Sequence, residues 1–109
     1  MATTRKVLGQ VAPSATTDTT LYTVPAATST VCSSLVVANR GEVTALVRVA
    51  VRVAGAALAN QQYILYDVAV PPQDTYIGTV GLTLAATDVV TVRASTADVS
   101  FSLFGEEAS

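Results

Sequence analysis

From residue 43 to residue 53 the chain alternates with almost no break. Val43, Ala45, Val47, Val49, Val51 and Val53 occupy the odd positions; Thr44, Leu46, Arg48, Ala50 and Arg52 occupy the even ones. Successive side chains of a strand point to opposite faces, so the odd set forms one apolar face. Five of its six residues are β-branched valines, which suit a strand and are mildly disfavoured in a helix. Wound into a helix, the same valines would scatter around the axis and leave no apolar stripe. The pattern predicts a central strand, buried on one face and partly polar on the other.

The rest of the chain reads as shorter strands parted by turn signals. Residues 5–12 predict a short strand weakened by Gly9. Residues 21–24 predict another, stopped by Pro25, which has no amide hydrogen for a ladder. Residues 30–39 predict a longer strand, joined to the valine strand as a hairpin through Asn39-Arg40-Gly41-Glu42. Residues 54–60 predict a hairpin loop, although Ala56 to Ala59 favour a helical turn by propensity. Residues 61–70 form the next strand, with Tyr63 and Leu65 alternating against Ile64, Tyr66, Val68 and Val70, and Pro71-Pro72 ends it. Residues 75–84 predict a strand interrupted by Gly78 and Gly81, with a bulge. Residues 89–95 and 99–104 close the fold, and residues 105–109 form an acidic tail.

That makes about eight strands with no helix alternating between them. The expected fold is all-β, an antiparallel β-sandwich, Ig-like or jelly-roll-like. With 109 residues, no repeat and no linker, the expectation is one domain over 1–109. Short arms are expected at 1–6 and 105–109.

Composition narrows the function classes. Charged residues are only 13% of the chain and the net charge is −2, which argues against a nucleic-acid surface. So low a charge fits either a neutral Thr/Ser surface or one covered by neighbouring subunits, since charge is depleted at interface cores. Histidine is absent, which removes the commonest general base and the usual zinc ligand. One cysteine, Cys32, makes neither a disulfide nor a thiolate metal site and reads as a small buried hydrophobe. No phosphate-cradling glycine loop and no calcium-loop spacing of aspartates occurs. The expectation is a chain without catalytic residues, metal or cofactor. No stretch reads as a membrane span or a secretory signal, so synthesis in the cytoplasm is expected.

The candidate interface residues are Leu46, Arg48 and Arg52 on the polar face of the valine strand, and Tyr22, Tyr63, Tyr66 and Tyr76. Arginine suits ion pairs with acids on a neighbouring strand or subunit. The tyrosines fit sheet edges or subunit contacts, with ring buried and hydroxyl wet; a sugar-binding face is the alternative.

Several segments resemble small virion proteins of tailed bacteriophages. They are Val7-Leu8-Gly9-Gln10, Thr20-Leu21-Tyr22-Thr23-Val24-Pro25-Ala26 and Ser33-Ser34-Leu35-Val36-Val37-Ala38-Asn39-Arg40-Gly41. Further along, Gln62-Tyr63-Ile64-Leu65-Tyr66-Asp67, Gly81-Leu82-Thr83-Leu84 and the run from Ser95 through Asp98 and Phe101 to Gly105 are similar to the same group. The resemblance covers nearly the whole chain. In related patterns a glycine precedes the aspartate after the Leu-Thr-Leu segment; here Thr87 precedes Asp88. The resemblance implies a β-sandwich building block of the virion, decorating or cementing the capsid, or placed at the neck, collar or tail. Its implied partners are further copies of itself and other virion proteins such as the major capsid protein. Neither nucleic acid nor membrane is implied.

Overall fold

The computed structural model describes residues 2–79 and 81–109. Its strands are β1 (Thr3–Val11), β2 (Thr19–Thr23), β3 (Ser29–Asn39), β4 (Ala45–Arg52), β5 (Tyr63–Val70), β6 (Thr75–Gly78), β7 (Thr83–Leu84), β8 (Val89–Ala94) and β9 (Val99–Ala108). One sheet runs β1-β9-β3-β6, with β7 also on β3; the other runs β2-β8-β4-β5. Every pairing is antiparallel. The fold is the expected all-β sandwich.

The inner faces of the two sheets make the core. Leu35 and Val37 of β3, Val47 and Val49 of β4, Val90 and Val92 of β8, and Phe101 and Leu103 of β9 are all essentially without solvent contact. Each of these pairs is spaced by two, as a strand with one buried face requires. Val43 and Val53, which continue the same alternation, are exposed. They lie beyond the ends of β4, where the neighbouring strands no longer cover them.

Two expectations change. The stretch 75–84 is two strands, β6 and β7, which pair with different parts of β3; Val80, within the interruption, lies outside the described residues. Between the two, Cys32 N donates to Leu82 O at 2.8 Å. The turn at residues 39–42 is not a hairpin, because β3 and β4 belong to opposite sheets. Asn39, buried, shapes this crossing: its Nδ2 donates to Val43 O (2.8 Å), Val70 O (3.0 Å) and Pro71 O (3.2 Å), and its Oδ1 accepts from Gly41 N (3.0 Å). The β4–β5 link is the expected hairpin. Short 3-10 turns at Val53–Gly55 and Asn60–Gln62 bracket its loop.

The terminal segments expected as arms are ordered here as the outer ends of β1 and β9. Thr3 stands opposite Ala108 and Arg5 opposite Glu106, while Lys6, opposite Gly105, reaches Glu107 on the diagonal, so the register itself brings opposite charges together. Met1, part of the expected first arm, lies outside the described residues.

Candidate interaction surface

The outer face of the β2-β8-β4-β5 sheet gathers several of the candidate residues. Leu46 and Arg48 project there from β4, between buried Ala45, Val47 and Val49. Arg48 reaches β5: its Nε donates to Asp67 Oδ1 at 2.7 Å and its Nη2 to Asp67 Oδ2 at 3.3 Å. Its guanidinium carbon stands 4.2 Å from the Tyr66 ring centroid, a cation–π contact. Tyr63 and Tyr66 meet edge to face, with centroids 4.9 Å apart. The guanidinium beside Asp67 holds that carboxyl below the usual range.

This cluster depends on irregularities in β5. Val47 faces Val68, Val49 faces Leu65 and Ala50 faces Tyr63, so β5 has extra residues at two places. Asp67 absorbs one of them at φ 53°, a left-handed conformation that aspartate tolerates better than most residues. In an unbroken strand Tyr63 and Tyr66, three apart, would point to opposite faces. The bulges put them together. They also return Leu65, Val68 and Val70 to the core side, so the simple alternation expected for residues 61–70 does not hold.

Arg52 lies at the end of the same face but is committed within the chain. Its Nε donates to Ala56 O (2.7 Å) and its Nη2 to Gly55 O (3.0 Å), pinning the hairpin loop. Tyr22 is buried between the sheets, so it supplies no exposed ring for a partner. Its hydroxyl donates to Glu107 Oε2 (2.5 Å) and accepts from Thr30 Oγ1 (2.8 Å). Burial, reinforced by the Glu107 carboxylate, pushes the Tyr22 phenol up to about 12. Tyr76 is half-buried against the core; its hydroxyl sits 3.0 Å from where a Cβ on Gly78 would stand. Cys32 is fully buried, and desolvation raises its thiol to about 11.

Arg93 escaped the sequence reading. It stands directly opposite Arg48 across the β4–β8 ladder and shares a shallow pocket of ≈ 150 Å³ with Thr16, Leu46, Arg48, Asp67 and Ser95. The only sequence signal was its place on the outward positions of a strand. Its pairing with Arg48 depends on strand order.

A larger cleft, ≈ 500 Å³, opens on the outer face of the other sheet and is lined by Val7, Val31, Ser33, Phe104 and neighbouring charged residues. Bulges flank β9 on both sides there: Leu8 is extra on β1 and Ser33 is extra on β3. Two bulges at one level bend the ribbon, and the bend makes the trough.

No protein-family model, characterised protein or solved structure matches this chain.

Proposed function

We propose that this chain is a non-enzymatic structural protein of a tailed-phage virion, assembling on the particle as a capsid decoration or cement subunit. The observation that carries the reading is the distribution of exposed apolar side chains. Val7, Val31 and Ile77 crown the outer face of one sheet, and Leu46 and Tyr66 that of the other; Ile77 is 69% exposed and Tyr66 56%. A sandwich with large apolar groups on both outer faces has surfaces suited to neighbours. The low charge content and the resemblance to small virion proteins support the same reading. Its partners are then further copies of itself and a shell protein such as the major capsid protein, and its place is the virion after synthesis in the host cytoplasm. A place at the neck, collar or tail is the same proposal with a different address.

Mass spectrometry of purified particles tests the reading, followed by image reconstruction to locate the chain. Its absence from particles made in infected cells would refute it. The exposed Tyr66 ring beside Tyr63 and Arg48 favours a second reading, a host-glycan-binding module. Glycan binding lost in Tyr66→Ala supports that alternative, and a blank glycan array removes it.

A further inference from the structure

The charged side chains of the chain are unevenly paired. Arg5 pairs with Glu106 and Lys6 with Glu107, each at 3.4 Å, and Arg48 pairs with Asp67. Arg40 donates to Ser100 Oγ and Ala97 O, and Arg52 to the loop carbonyls. Asp88 accepts from Ala54 N and Ala85 N at 2.9 Å. Arg93 alone among the cations makes no side-chain hydrogen bond or ion pair among the described residues, although it is only partly exposed. It also faces Arg48 directly, and like charges in that position repel. Asp67 answers Arg48, and Asp18, just before β2 and near the level of Arg93, forms no ion pair with it. Asp67, which also feels the charge of Arg93, is bonded to Arg48, so the Arg93 guanidinium stays without an ion-pair partner among the described residues beside the apolar Leu46.

The complementary surface belongs to the same chain. Glu42, Asp74 and Asp98 are exposed and make no ion pair among the described residues. All three surround the crossing at Asn39 to Gly41: Arg40 N donates to Asp98 O, Asn39 N to Asp74 O and Gln73 N to Gly41 O. This end of the sandwich carries three carboxylates against the one guanidinium of Arg40.

We propose that Arg93, flanked by Arg48, is the docking point for the Glu42–Asp74–Asp98 end of a second copy of this chain. The inference rests on the assembly reading and names the contact. Guanidinium groups in a shallow, partly apolar pocket suit carboxylates bidentately.

Sedimentation velocity at low and high salt tests it, with circular dichroism to verify that each variant is folded. The wild type is expected to self-associate at low salt and to separate as salt screens the contact. Arg93→Glu and Glu42→Arg, each alone, are expected to weaken association about tenfold or more. Mixing the two variants is expected to restore it, because the reversed charges match again. A monomeric wild type at low salt overturns the proposal, as do an Arg93→Glu variant that associates normally and a mixture that fails to recover. Poly-glutamate that binds a monomeric wild type through Arg93 also overturns the second copy as the occupant. A chain that is monomeric yet present on particles sinks this contact and leaves the assembly reading standing. A self-associating chain absent from particles does the reverse.

Discussion

Tyr22 and Glu107 are joined by a 2.5 Å hydrogen bond, in which the buried phenol donates to a carboxylate of β9. With Thr30 on one side and Lys6 on the other, the pair forms a polar seam across the edge of the core. The ring belongs to one sheet and the carboxylate to the other, so the bond ties the two layers together.

Tyr22→Phe removes the donor and leaves a largely buried carboxylate and hydroxyl without their partner, which costs about 1–3 kcal/mol. The same phenol gives the protein an alkaline sensitivity. Its folded value of about 12 lies above the ordinary 10.0, so the unfolded chain releases the proton first. The contribution is whole below pH 10 and is lost as pH rises from 10 towards 12. Urea denaturation at stepped pH is expected to show this loss in the wild type and a shallower one in Tyr22→Phe. Identical slopes would refute the assignment.

Gly9 and Gly105 mark where backbones approach most closely. A Cβ on Gly9 would stand 2.2 Å from Leu21 O, and one on Gly105 would stand 2.2 Å from Val31 O. Neither obstacle is a side chain that can swing away. Gly9→Ala and Gly105→Ala are each expected to cost about 1–3 kcal/mol through forced backbone shifts, read as a lower denaturation midpoint. Unchanged midpoints would show that the strands separate easily.

Thr87 should improve on replacement. It sits at φ 69°, a region costly for a β-branched residue. Thr87→Gly removes the clash with Cβ and is expected to stabilise by on the order of 1 kcal/mol, after the entropy cost of glycine. A lower melting temperature would show that the threonine contributes more than the strain it stores.

Asp67 combines a bulge with an ion pair, and three variants separate the two. Asp67→Asn keeps a side chain that tolerates the left-handed backbone but loses the charge. Asp67→Gly loses the pair but relieves the backbone, and Asp67→Ala loses both. The melting temperature of the Gly variant is therefore expected to exceed that of the Ala variant. The folded carboxyl ionises below its ordinary 3.8, so its contribution is present above that pH and is lost as acid carries the solution through the lower, folded value. Asp67→Asn is expected to lack this part of the acid response; an unaltered acid profile would separate the pair from stability.

Much of the fold is legible in alternation. Val47, Val49, Val90, Val92, Phe101 and Leu103 lie where a two-residue period puts them. Alternation fails where the strands carry an extra residue. The shift between Thr20 and Tyr22 leaves adjacent Leu21 and Tyr22 both buried, so Tyr22 reads as an edge tyrosine and is a core residue. The extra residues in β5 likewise unite Tyr63 with Tyr66, which a regular strand would separate. Asn39-Arg40-Gly41-Glu42 reads as a hairpin turn because its residue types suit one; only the sheet order reveals that it changes layers. Arg93 and Arg48 are far apart in sequence, and nothing local to either announces their meeting.

The place of β9 between β1 and β3 has a consequence for biosynthesis. β1 is made before the other strands described, yet among the described residues its partner within its sheet is β9, made after them. Until that strand arrives, β1 has an unfilled ladder on each side, and β3 holds only the short β6 and β7. The nascent protein must therefore keep a sticky, valine-rich intermediate from joining its neighbours until translation has passed Ala108. Closure of that sheet waits for the whole of β9.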